Sequence, residues 1–125
     1  MSRIGKVAII AAGITVGAGT SVADQPRVIH AEASPNGDGS YTISATIRHG
    51  DTGWDHYADS FDVLAPDGTV LGRRVLYHPH VEEQPFTRSV DEVKVPGGLK
   101  TVIVRAHDKV HGHGKATFTL KLPDR

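Results

Sequence analysis

The sequence predicts an all-β protein: a seven-stranded β-sandwich of immunoglobulin or fibronectin type III character. Three observations carry that reading. Residues 40–49 alternate strictly, with Tyr41, Ile43, Ala45, Ile47 and His49 on one face and Ser40, Thr42, Ser44, Thr46 and Arg48 on the other, which is the period of a half-buried strand. Clusters of Pro, Gly, Asn and Asp punctuate the chain at 35–39, 65–69 and 96–98, where such residues favour turns. No stretch after Pro26 carries the spacing of an amphipathic helix. An up-and-down barrel would want eight strands to close.

Taken in order, residues 1–23 read as a secretory leader. Arg3 and Lys6 form a basic start, Val7–Val22 is apolar or small throughout, and Ser21-Val22-Ala23 ends it with small residues. That is the pattern of a signal peptide, and the apolar run is short for a membrane span. Residues 24–125 then make one small β-sandwich domain, expected in the periplasm or secreted. The whole chain has 14 basic and 14 acidic residues. Because Arg3 and Lys6 lie in the leader, the exported part is slightly acidic, which gives no electrostatic footprint for nucleic acid. After leader removal no membrane partner is expected. There are no cysteines, so folding proceeds without disulfides and any metal must be held by nitrogen and oxygen.

The strands follow. Arg27–Ala33 is the first, with Ile29, Ala31 and Ala33 on one face. Ser40–His49 is the second. Tyr57–Leu64 is the third, with Phe61 and Val63 inward. Val70–Tyr77 returns after the Pro66-Asp67-Gly68 turn, and Thr87–Val95 is a fifth, less regular. Lys100–His107 places Val102, Val104 and Ala106 on one face. Lys115–Leu122 is the seventh, with Ala116, Phe118, Leu120 and Leu122 inward.

Successive strands in a meander or Greek key reverse direction, so their connections alternate between the two ends of the sandwich. The connections at 34–39, 65–69 and 96–99 fall at one end; those at 49–56, 77–86 and 107–114 fall at the other. The second end carries His49, His56, His78, His80, His107, His111 and His113, seven of the eight histidines. His30 lies mid-strand and reads as a surface residue. Function commonly sits on loops carried by a rigid scaffold.

The histidines point to a metal. His78-Pro79-His80 puts two imidazoles on one side of an extended backbone, and proline limits its bending; His111-Gly112-His113 is a second such pair. His78 and His80 lead the expected ligands, followed by His107, His49, His56, His111 and His113, in one site or two adjacent ones. Asp55, Asp108, Glu82 and Asp59 are the carboxylates expected to orient the imidazoles, with Asp51 and Glu83 also within reach. Imidazole and carboxylate ligation suits Zn²⁺ or Cu²⁺. Trp54 reads as a core plug at the sandwich end, and Arg88 as a partner of Glu82 or Glu83. No nucleophile and no Ser-His-Asp spacing is evident, so no catalytic residue is assigned and an enzyme is not the first expectation.

The functional expectation is a periplasmic metal-binding protein acting in metal handling or storage, its partners a metal ion and a periplasmic protein. Two alternatives stand beside it: a periplasmic metalloenzyme, redox or hydrolytic, and a recognition module that binds a protein or small ligand without metal. A hydrogen-bonded histidine cap holding the loops, with no ion, is the plain structural alternative.

The run Asp51-Thr52-Gly53-Trp54-Asp55-His56-Tyr57-Ala58-Asp59, the segment His78-Pro79-His80-Val81-Glu82-Glu83-Gln84-Pro85-Phe86-Thr87-Arg88-Ser89 and Arg105-Ala106-His107-Asp108 together resemble a family of small exported bacterial β-sandwich proteins. The resemblance covers nearly all of residues 24–125. It implies a periplasmic location and brings no established activity. Blue-copper proteins need a cysteine ligand and do not match.

Overall fold

A computed structural model describes residues 25–124, which form eight strands and no helix. The leader predicted over 1–23 lies outside the described residues. The strands are β1 (Arg27–Pro35), β2 (Ser40–Arg48), β3 (Ala58–Leu64), β4 (Val70–Val75), β5 (Phe86–Lys94), β6 (Thr101–Asp108), β7 (Gly112–His113) and β8 (Phe118–Lys121). They make two antiparallel sheets arranged as a sandwich. One has the order β1-β2-β5; the other runs β4-β3-β6, with β7 and β8 both paired to β6.

The core fills the space between the inner faces. β2 gives Tyr41, Ile43, Ala45 and Ile47, β3 gives Phe61 and Val63, and β6 gives Val102, Val104 and Ala106, all at most 1% exposed. Phe86 and Val93 of β5 and Leu120 of β8 complete it. Burying each large side chain of this kind contributes about 1.5–3 kcal/mol. Tyr41 keeps its phenol satisfied at the edge of the core by donating to the Pro123 carbonyl at 2.8 Å.

Three expectations change. In β1 the register shifts between Val28 and His30. This bulge breaks the simple alternation, so Val28 and Ala31 are buried while Ile29 is 41% exposed. The expected seventh strand, Lys115–Leu122, shortens to β8 (Phe118–Lys121), and a two-residue strand, β7, precedes it. Between them the chain leaves β6 to reach β1, where Val28 N–H donates to the Ala116 carbonyl at 3.0 Å and Arg27 bridges Ala116 in parallel. Ala116 is therefore an exposed edge residue and not a core one. Trp54 is 61% exposed, its ring edge-on to Tyr57 at 5.7 Å, and does not plug the core.

Gly114 packs so closely on Pro26 that an added Cβ would lie 1.9 Å from the Pro26 carbonyl oxygen. Gly114→Ala should therefore destabilise the domain by about 1–3 kcal/mol, read by denaturant unfolding.

Asp62 sits on the outer face of β3 yet is 1% exposed, because Arg73 of β4 and Arg105 of β6 close over it at 2.6 and 3.2 Å. Burial pushes its carboxyl up, but the hydrogen bonds and charges of the two arginines outweigh that and hold it below the ordinary value. A carboxyl lowered by folding adds stability above its unfolded pKa, and that stability is lost as pH falls through the folded value. Asp62→Asn should cost about 1–2 kcal/mol at neutral pH, the arginines being partly solvated. It should also flatten the loss of stability below pH ~4 in an unfolding series.

Candidate metal centre

The three connections predicted to share one end do meet there. Asp51 joins them. Its Oδ2 accepts the His80 backbone N–H at 2.7 Å, and its Oδ1 accepts the Ala58 N–H at 3.1 Å and faces His49 Nδ1 at 2.5 Å. Gln84 adds a second tie, accepting from His49 N–H at 2.9 Å and donating to the His80 carbonyl at 3.0 Å.

The centre of this end is Asp108, the last residue of β6. The alternation that turns Val102, Val104 and Ala106 inward turns Asp108 inward as well, and its side chain is 0% exposed. Oδ1 accepts backbone N–H groups from Val110 at 2.7 Å and His111 at 2.5 Å, as the chain turns out of the strand. Oδ2 faces three imidazole nitrogens: His49 Nε2 at 3.0 Å, His56 Nε2 at 3.1 Å and His111 Nδ1 at 3.0 Å. The rings of His49 and His56, and those of His56 and His111, are each 4.8 Å apart by centroid.

Electrostatics follow from this packing. Burial pushes the Asp108 carboxyl up, but the His111, His56 and Val110 hydrogen bonds dominate and bring its pKa down to about 2. Burial disfavours the charged form of His49, yet the Asp51 hydrogen bond and the Asp51 and Asp108 charges more than compensate, and its pKa is raised. Asp51 is lowered: burial opposes ionisation, and the bonds from His49, His80 and Ala58 overcome it.

The group can hold a metal ion. His49, His56 and Asp108 offer ligand atoms that all lie within 4.8 Å of one another. Metal–ligand bonds of about 2.1 Å in a tetrahedron imply ligand–ligand edges of about 3.4 Å. The 3.0 and 3.1 Å separations between Asp108 Oδ2 and the two Nε2 atoms lie near that edge. His49 is prepared for the role, since Asp51 engages Nδ1 and so directs Nε2 toward Asp108; a carboxylate behind a ligating imidazole is the usual arrangement.

The other expected residues lie elsewhere. His78 and His80 project to one side, their rings 4.8 Å apart, but neither faces Asp108. His78 is exposed and its Nδ1 lies 3.3 Å from the Pro79 carbonyl. His80 lies flat on Phe86 at 4.0 Å and 9°, and its Nε2 is 3.1 Å from the Arg88 guanidinium. An arginine can only donate, so Nε2 is the acceptor and Nδ1 carries the hydrogen. That buried Nδ1 makes no hydrogen bond, its nearest carboxylate being Asp51 Oδ2 at 4.0 Å. Burial, then the Arg88 charge, lowers the His80 pKa.

His107 and His113 sit on the outer face of the second sheet, with His107 Nδ1 2.6 Å from Asp59 Oδ1. The expected His111–His113 chelate is thus divided, because Gly112 at φ 79° interrupts the alternation that would align the pair. Asp55 and Glu82 are exposed, and the carboxylates that engage imidazoles at this end are Asp51, Asp108 and Asp59. Arg88 pairs with Glu83 at 3.2 Å. Asp108 as the hub was readable in principle, by extending the β6 alternation two residues past Ala106.

No family model and no solved structure matches the chain. A protein of Halomicrobium mukohataei described as "Putative lipoprotein" is 40% identical over 90 residues, which are 72% of this chain and 44% of that protein. The chain thus spans less than half the length of that relative.

The weight carried by Asp51 is testable. Asp51→Ala leaves the buried His49 Nδ1 and the Ala58 and His80 N–H groups without their acceptor. At about 1–3 kcal/mol for each group so orphaned, the expected loss is at least ~3 kcal/mol. Thermal unfolding should fall by roughly 12 °C or more.

Proposed function

We propose that the protein is an exported metal-binding protein whose primary site is formed by His49 Nε2, His56 Nε2 and Asp108 Oδ2, with His111 beside them. It takes Zn²⁺ or Cu²⁺ and acts in metal handling or storage in the periplasm or outside the cell. The observation that carries this reading is the convergence of imidazole nitrogens on one buried carboxylate oxygen at 3.0–3.1 Å. An oxygen with two lone pairs is a poor common acceptor for three N–H donors. A cation among the same atoms would instead receive the lone pairs of all of them.

The description of the Halomicrobium relative supports export, as does the leader pattern of residues 1–23. The strand order, β1-β2-β5 against β4-β3-β6 with β8 beyond β6, supports the finer assignment to an immunoglobulin or fibronectin type III-like sandwich.

Catalysis is the second reading. The His56 and His111 side chains keep 18% and 24% exposure, so the centre has a solvent side on which a substrate could reach the ion. That opening, not a nucleophile, is what favours it.

The test is isothermal titration of metal-free protein with Zn²⁺ and with Cu²⁺, alongside thermal unfolding. One ion should bind tightly and stabilise the fold by about 2.7 kcal/mol at a hundredfold excess over Kd. His56→Ala removes a partly exposed ligand and should abolish the tight equivalent while leaving the fold intact. Absence of saturable binding and of any thermal shift would instead assign this end to a hydrogen-bonded cap.

A further inference from the structure

The outer face of the second sheet gathers the histidines that Asp108 does not. Across it, Val75 of β4 lies opposite Ser60 of β3, Ser60 opposite His107 of β6, and His107 opposite His113 of β7. Directly opposed residues hold their Cβ atoms about 4.5–5.5 Å apart. Asp59 joins this row because the β3–β6 register shifts between Ala58 and Ser60, which brings its Oδ1 to 2.6 Å from His107 Nδ1. That contact fixes the His107 tautomer with hydrogen on Nδ1 and leaves the Nε2 lone pair for another partner. The His113 ring stands 5.0 Å from the His107 ring at 70°. Asp59, Ser60, Arg73, Val75, His107 and His113 line a cleft of about 290 Å³.

We propose that this cleft is a second transition-metal site, in which His107 and His113 ligate one divalent ion, Asp59 positions His107, and the remaining coordination positions open to solvent. Arg73 and Arg105 share the single Asp62 carboxylate, and Asp59 supplies the second negative charge that balances the pair of guanidiniums beside the cleft. Two protein ligands and an open cleft make this the weaker site, suited to an exchangeable ion. It shares no ligand with the Asp108 centre.

The experiment is Zn²⁺ titration of the metal-free protein, followed by calorimetry and by imidazole ¹⁵N NMR. A second, weaker equivalent should appear, and its binding should shift the His107 and His113 ring resonances in the wild-type protein. His107→Ala and His113→Gln should each remove that equivalent and leave the tight one. Asp59→Asn should weaken it about 10–100-fold. His56→Ala should do the reverse, abolishing the tight equivalent and sparing the weak one. A wild-type stoichiometry of one that His107→Ala leaves unchanged, with the His107 and His113 rings unmoved, overturns the second site while leaving the first intact. Loss of both equivalents in His56→Ala alone also overturns it, since the two would then be one site.

Discussion

The candidate metal centre depends on a single buried carboxylate at the end of a strand. Asp108 continues the inward face of β6 beyond the apolar core, so a charge is carried to the point where the sandwich gives way to loops. Such a charge is tolerated only if its surroundings satisfy it. One oxygen is satisfied by the backbone as the chain turns at Val110 and His111, and the other by imidazoles from the β2–β3 and β6–β7 connections. The lowered pKa follows from these donors, and so does the position of the rings.

His49 shows how the remaining loop is brought in. It ends the inward face of β2, and it lies between two carboxylates, Asp51 on Nδ1 and Asp108 on Nε2. Asp51 in turn binds the backbone of His80 and Ala58. The 76–85 connection therefore contributes a scaffold to the centre, through the His80 amide and Gln84, while its imidazoles remain aside. His80 thus meets the centre through its backbone amide, and a less conspicuous aspartate does the joining.

Much of this was legible in the sequence because it depends on local alternation. The faces of β2 and the inward positions of β6 follow directly from a period of two, and the meeting of three loops follows from strand reversal. What escaped depends on partners distant in sequence. Asp62 is buried only because Arg73 and Arg105 arrive from neighbouring strands. The bulge after Val28 and the departure of residues 115–117 from β6 arise where β1 meets the segment between β7 and β8. Gly112 separates His111 from His113 through its positive φ, which spacing alone does not reveal. His80 was drawn away from the expected cluster by the flat face of Phe86 and the guanidinium of Arg88.

The seam between Pro26 and Gly114 has a further consequence, for direction. Arg27 pairs with Arg48, one residue before His49, so β1 begins at the histidine-bearing end of the sandwich. The seam fixes that beginning against the segment that follows His113. Pro26 and Arg27 therefore sit at the same pole as the Asp108 centre. The start of one strand thus closes the same pole that carries the candidate centre.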